Sequence, residues 1–314
     1  VNPVRSTRPR RRRAKAAAAV ALATALGAGT PASSASAAPF PSSPPKNMHD
    51  LKNPFVSPDL LARDASGKLW RIGSVRDASG KNFTGAGSPV PEGGGWNAYD
   101  RIEMVGDLDP DGYPDAVARD RDGVLWRYAA KDAARTGAFW TRTRIGGGWN
   151  TYTMFTGGSD VRYDLKADLV AVDKRGDLYL YEGSGANSGR TYLPRRKIGH
   201  GWGIYDRITA VGDVGGGVSG DLVARDRTGV LWLYLGKADG TFAARTRIGG
   251  GWNAYSDVIG IGDADGDWRN DLYAYGPDGT GYLYRGNGEW KAPFGGRIPN
   301  TTLKDSGIKA DLVF

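Results

Sequence analysis

Cysteine is absent from the 314-residue chain, so an oxidising exterior adds no disulfide and stability has to come from a buried core. Histidine is almost absent too, with His49 and His200 the two copies. A Ser-His-Asp centre would rest on His200 alone, since His49 lies in a Pro/Ser-rich stretch, and no nucleophile elbow accompanies it. Glutamate beyond residue 37 is limited to Glu92, Glu103, Glu182 and Glu289, which leaves paired-carboxylate hydrolysis to the many aspartates. An enzyme centre should depart from any repeat, whereas here the notable residues recur. The expectation is a protein without enzymatic activity, a glycan-processing hydrolase being the least favoured alternative. No apolar run reaches the roughly 20 residues of a membrane-spanning helix.

The main apolar run, Ala16 to Gly29, follows Arg5, Arg8, Arg10 to Arg13 and Lys15, and precedes the small-residue site Ala35-Ser36-Ala37. Basic start, short apolar run and A-x-A site read together as a secretory signal peptide over residues 1–37. Secretion is the expected localisation. The twin arginines permit export of a folded chain, but the polar and aromatic residues usual around such a pair are missing, which favours the general route. Seven of the 42 basic residues and none of the 34 acidic ones lie in this leader, leaving 35 basic against 34 acidic groups. The formal charge of +8 therefore belongs almost wholly to the leader, and a basic nucleic-acid footprint is not supported. Residues 38–54, rich in Pro and Ser, read as a flexible lead-in.

Self-similarity dominates residues 55–314. A Gly-Trp element occurs as Ile145-Gly-Gly-Gly-Trp149-Asn150-Thr-Tyr152, Ile198-Gly-His-Gly-Trp202-Gly-Ile-Tyr205 and Ile248-Gly-Gly-Gly-Trp252-Asn253-Ala-Tyr255. A first copy, Gly93 to Tyr99 with Trp96 and Asn97, lacks the Ile. A second marker, Asp-Leu-x-Ala-x-Asp, a turn, then Leu-Trp/Tyr-x-Tyr, begins at Asp59, Asp115, Asp168, Asp221 and Asp271. Both markers keep a period of 50 to 56 residues. Each unit reads as four short strands, with Asp and Gly at the tight connection. The fold class expected is all-β, a single β-propeller of about five four-stranded blades. The terminal Asp311-Leu-Val-Phe314 begins a further Asp-Leu element, so it should complete the partial first blade and hide the open edge. A partial sixth blade is the alternative.

Two loops carry metal-type spacing. Asp107, Asp109, Asp111 and Asp115 fall at positions 1, 3, 5 and 9 with Gly112 for the turn, and Asp263, Asp265, Asp267 and Asp271 repeat the spacing with Trp268 in place of the Gly. Alternating carboxylates in a tight loop converge on one point and suit Ca2+. The equivalent loops depart from the pattern: Arg162 stands among Asp160, Asp164 and Asp168, while Gly215 and Gly217 replace two carboxylates between Asp213 and Asp221. An Asp/Gly turn explains the final Asp of each unit without metal.

Saccharide recognition needs a flat apolar ring and fixed polar groups beside it. Trp96, Asn97 and Tyr99, Trp149, Asn150 and Tyr152, Trp202 and Tyr205, and Trp252, Asn253 and Tyr255 supply both, next to glycines that expose backbone. The competing reading places these indoles in the inter-blade core. Trp70, Trp126 and Trp232, mid-strand among alternating apolar residues, read as core. Arg63-Asp64, Arg119-Asp120 and Arg225-Asp226 read as turn residues and ion pairs.

The Asp-rich loop followed by Asp-Leu-x-Ala-x-Asp-x-x-Gly-x-Leu-Trp-x-Tyr resembles the FG-GAP/VCBS-type repeats of secreted actinobacterial proteins. The Ile-Gly-x-Gly-Trp-x-x-Tyr element is similar to the repeats of tachylectin-like lectin propellers. Together the resemblances cover about residues 55–314. They imply a propeller that binds a glycan or cell-surface polysaccharide, with one site per blade or blade junction. The chain also resembles the lectin subunit of secreted Streptomyces umbrella toxin particles, which implies a secreted protein partner in a larger complex. A protein-interaction propeller without sugar binding is the alternative.

Overall fold

The computed structural model describes residues 59–78, 82–130, 139, 142–186 and 189–314. The expected leader and lead-in lie outside the described residues. Five four-stranded antiparallel sheets follow one another along the chain. The second blade consists of Tyr99–Gly106, Asp115–Asp120, Leu125–Tyr128 and Thr143–Gly146. The third is Tyr152–Ser159, Asp168–Asp173, Leu178–Tyr181 and Arg196–Gly199. The fourth is Tyr205–Gly212, Asp221–Asp226, Leu231–Tyr234 and Thr246–Gly249, and the fifth Asp257–Gly262, Asp271–Tyr275, Gly281–Gly286 and Phe294–Asn300.

The first blade closes the ring. Leu60–Asp64, Leu69–Ile72 and Val90–Gly93 supply three strands, and Ala310–Val313 from the end of the chain forms the fourth, pairing Ala62 with Val313. Leu61 and Phe314 exchange main-chain hydrogen bonds of 3.1 and 2.9 Å. The blade count is five, as the repeat implies, and the terminal segment completes the first blade rather than starting a sixth. An extra hairpin, Ser74–Arg76 with Phe83–Ala86, is inserted in the first blade.

Alternation along each strand sends side chains to both blade faces, so the apolar core lies in layers between neighbouring blades. Leu61, Leu69 and Phe314 of the first blade pack on Ile102, Met104 and Ala116 of the second. Leu60, Ile72 and Val313 pack on Ile259, Tyr273 and Leu283 of the fifth, which seals the last junction. The first strands surround the axis, where Arg101, Glu103, Thr156, Thr209, Asp257 and Phe314 line a cavity of only about 20 Å³. Arg207 and Asp257 pair there at 2.8 Å, and burial raises the pKa of Glu103. That axial space is little larger than one water molecule.

Because strand direction alternates within a blade, the loops from first to second and from third to fourth strands emerge at one end. The Asp-rich loops are there. The tight Asp-x-x-Gly turns and the Gly-Trp elements lie at the other.

Candidate functional site

Each Gly-Trp element forms the same structure. A glycine in the left-handed region, Gly95, Gly148, Gly201 or Gly251 with φ between 83 and 87°, turns the chain into a one-turn 3-10 helix that begins at the Trp. The Trp amide then donates to the carbonyl of the preceding blade's turn glycine, at 2.9 Å from Trp96 to Gly67 and 2.8 Å from Trp149 to Gly123. A side chain on that glycine would meet the Asn that follows the Trp: a Cβ on Gly67 would stand 2.7 Å from Asn97 Cγ. Asn97, Asn150 and Asn253 therefore cover the turn glycines Gly67, Gly123 and Gly229, and their exposed amides sit at the blade junction.

The tryptophans point inward, only 5 to 6% exposed. Trp96, Trp149, Trp202 and Trp252 lie 4.5, 4.8, 4.4 and 4.7 Å from the rings of Tyr128, Tyr181, Tyr234 and Tyr284. The sequence candidates Tyr99, Tyr152, Tyr205 and Tyr255 join the same clusters, each sharing a hydroxyl–hydroxyl hydrogen bond with the partner tyrosine. Tyr99, Tyr152, Tyr205 and Tyr255 are buried like the tryptophans, so these candidates are mostly inter-blade core, and the half-buried Tyr128, Tyr181, Tyr234 and Tyr284 form the outer part of the aromatic wall. At the first junction this wall borders a depression of about 180 Å³ lined by Glu92 to Gly95, Trp96, Tyr99, Tyr128 and Phe139. A Cβ added at Gly94 in this depression, or at Gly146 or Gly148 of the second junction, would meet nothing within 4 Å, so bare backbone faces open space at both.

The partner tyrosines were not among the sequence candidates. Their signal is a constant separation of 29 residues from the first tyrosine of each pair. Also unread were Arg142, Arg195, Arg245 and Arg297, which donate to the hydroxyls of Tyr99, Tyr152, Tyr205 and Tyr255.

The tryptophans assigned to core are half-buried. The indole N–H groups of Trp70, Trp126 and Trp232 donate to Asp64, Asp120 and Asp226 at 2.8, 2.7 and 2.8 Å. Arg63, Arg119 and Arg225 pair with Asp311, Asp100 and Asp206 of the adjacent inner strand, not with the aspartate next in sequence. The junctions are not identical. Glu92 takes the place of the Ile at the first and pairs with Arg71 at 2.5 Å. His200 replaces a glycine at the third, its exposed ring 2.6 Å from Asp177.

At the opposite end, oxygens of Asp107, Asp109 and Asp111 lie within 4.8 Å of one another, as do those of Asp263, Asp265 and Asp267. Asp160, Asp164 and Asp168 do the same, because Arg162 turns away to Glu182 at 2.6 Å. The ninth-position aspartates serve the backbone. Asp115 accepts from Leu108 and Ala130 amides at 3.1 and 2.9 Å, and Asp271 from Ala264 and Gly286 at 2.8 Å each. Burial pushes Asp115 up to about 7, against the pull of Arg127. Asp267 rises to about 6 through burial and the neighbouring Asp265. Asp109 Oδ1 is buried without a partner. Its other oxygen pairs with Arg127, and the unpartnered one among converging carboxylates is where a hard cation would fit beside Asp107 and Asp111. Trp268 at φ 71° and Leu165 at φ 65° hold the left-handed turn that Gly112 makes at φ 92°, but Tyr163 and Gly266 are also left-handed where the first loop has Pro110, so the loops share that turn and not their whole path.

Of the four described glutamates, Glu92, Glu103 and Glu182 each stand in an ion pair with arginine, and Glu289 is exposed. No described helix is long and apolar enough to cross a membrane.

No family model matches the chain, and no curated protein matches it. Solved structures similar in fold include the BP39L lectin from Burkholderia pseudomallei, at 17% identity over 78% of this chain and 68% of that one, with a TM-score of 0.47. Prp20p from Saccharomyces cerevisiae is 11% identical over 77% of this chain and 62% of its own, with a TM-score of 0.37. The Tc holotoxin pore of Photorhabdus luminescens is 15% identical over 88% of this chain but 14% of its own, with a TM-score of 0.36. At such identities the likeness concerns fold alone.

Proposed function

We propose that this propeller is a secreted, lectin-like protein that binds carbohydrate in the grooves between blades. The observation that carries the reading is the depression at the first junction, where the Trp96–Tyr128 wall, tyrosine hydroxyls and open glycine backbone meet. Three further junctions repeat the wall, the third with His200 in place of the open glycine. An apolar ring surface with fixed hydroxyl partners suits a sugar, and several modest sites on one rigid ring gain avidity for a polymer or cell surface. Calcium in the Asp107–Asp111 loop, and in its two counterparts, would stabilise the other end.

A glycan array tests the reading. The substitutions Gly94→His, Gly147→His and Gly250→His place at three junctions the residue that the third already carries as His200. Gly94 faces open space, and at Gly147 and Gly250 only the tips of Arg144 and Arg247 come near. Glycan binding by the native protein that the triple variant loses while still folded supports the proposal. A blank array with the native protein overturns it.

A second reading, a surface that docks a protein, draws on Tyr163, Leu165, Val218, Trp268 and Trp290, which are 42 to 91% exposed on loops at the Asp-rich end. Grooves and loop end are different surfaces, so the glycan-binding module could also be the targeting subunit of a secreted toxin complex, as the repeat resemblance suggests. Stoichiometric capture of a secreted partner, lost on Leu165→Asp and Trp268→Asp, tests that role.

A further inference from the structure

Each junction with a Gly-Trp element also carries an arginine whose charge sugar stacking does not explain. Arg142, Arg195, Arg245 and Arg297 stand on the fourth strand of a blade or just before it. Their guanidinium groups lie over Trp126, Tyr179, Trp232 and Tyr282, at 4.0, 4.5, 4.0 and 4.4 Å from the ring centroids. Each donates to the groove tyrosine hydroxyl, at 2.5 Å from Arg142 to Tyr99 and 2.8 Å from Arg245 to Tyr205. All four are exposed.

Several arginines elsewhere are matched with carboxylates, as in Arg127 with Asp115 at 3.0 Å and Arg207 with Asp257 at 2.8 Å. Among the described residues, the four groove arginines form no salt bridge. Two residues further along, Arg144 and Arg247 are exposed as well, and their terminal nitrogens would lie 3.3 and 3.4 Å from a Cβ on Gly147 and Gly250. A chain whose exported part is nearly neutral therefore sets unmatched cations beside the open glycine backbone.

Stacking holds a guanidinium in one plane, and one N–H given to a tyrosine leaves others free for a forked contact with a carboxylate or phosphate. We infer that the grooves select anionic glycans, polymers whose sugar rings meet the aromatic wall and whose carboxylate or phosphate groups meet these arginines. The inference rests on the carbohydrate reading and specifies its ligand class. A purely structural arginine, serving as a lid on an aromatic ring, would leave binding indifferent to ligand charge.

The test measures binding of the intact protein to four polysaccharides: polygalacturonate, the same polymer fully methyl-esterified, a phosphomannan, and the dephosphorylated mannan. The expected result is binding to one or both charged polymers, at least about tenfold stronger than to the neutral counterpart, and weakened by added salt. The two charged arms separate carboxylate from phosphate recognition. Arg142→Gln, Arg195→Gln, Arg245→Gln and Arg297→Gln together should abolish the preference. If that variant fails to fold, Arg144→Gln with Arg247→Gln, both at exposed positions, should reduce the affinity for the charged polymer and its salt dependence. Equal binding to charged and neutral members overturns the inference and leaves sugar binding standing. Binding to none of the four, with a blank glycan array, overturns both.

Discussion

Arg119 of the second blade donates to the main-chain carbonyls of Trp149 and Tyr152 in the third, at 3.2 and 2.8 Å. Its remaining nitrogens grip Asp100 on the inner strand of its own blade. One side chain therefore ties a blade's inner edge to the turn that starts the next blade. Arg63 and Arg225 repeat the arrangement, whereas Val172 stands at this position in the third blade. Replacing Arg119 by Met keeps the apolar stem and strands two carbonyls, which should lower unfolding free energy by about 2 kcal/mol. Urea unfolding of Arg119→Met checks this; a change within error would mean the contact is dispensable.

Trp149 and Gly147 lie two residues apart and should respond in opposite ways. Trp149 is 5% exposed and packs on Tyr181, so Trp149→Ala should cost about 3 to 5 kcal/mol. Gly147→His adds a side chain where only the tip of Arg144 is near, and should cost well under about 1 kcal/mol. Equal thermal shifts in the two variants would contradict the orientation of the indole.

Asp221 gives the fold a pH dependence. Burial pushes its carboxyl up to about 7 although the Val214, Gly215 and Gly236 amides donate to it. The unfolded chain titrates near 3.9, so the folded state binds the proton more tightly. This stabilisation is complete below about pH 4 and is lost as pH rises through about 7. In calcium-free buffer the melting temperature should fall between about pH 5 and pH 8, and Asp221→Asn should flatten part of that slope. An unchanged slope in the variant would place the titration elsewhere.

Calcium should act where carboxylates crowd. Chelation is expected to lower the melting temperature, calcium to restore it and magnesium to do so less well, since Mg2+ demands a tighter octahedral shell. Asp109→Asn removes charge at the atom without a partner and should weaken the response. A melting curve indifferent to both chelator and calcium would contradict the metal assignment.

Much of the fold was legible because a ring of similar units repeats its turn chemistry. Asp120 and Gly123 mark a turn through their own hydrogen bonds, and such turns recur with the blades. The closing role of Asp311 to Phe314 was visible as a further Asp-Leu element, but the segment is the inner strand the first blade lacks, with Asp311 paired to Arg63 as Asp100 is to Arg119. The direction of the tryptophans was not legible. Trp149 stands between glycines and Asn150 while Trp126 alternates with apolar strand residues, yet the first is core and the second half-buried, since periodicity names a face and not what packs on it. Arg162 looked like a cation in a ligand position, but its long stem carries the charge to Glu182 and leaves three carboxylates together. Tyr128 and Arg142 were missed because they are ordinary strand residues until the fold brings them to Tyr99.

Carbohydrate binding in the junction grooves is tested most directly by titrating one glycan hit from the array into the native protein and into the Gly94→His, Gly147→His, Gly250→His variant. Saturable binding should be lost or at least about tenfold weaker in the variant, with its melting curve preserved. Undiminished affinity in the folded triple variant would contradict the assignment of the ligand to these grooves.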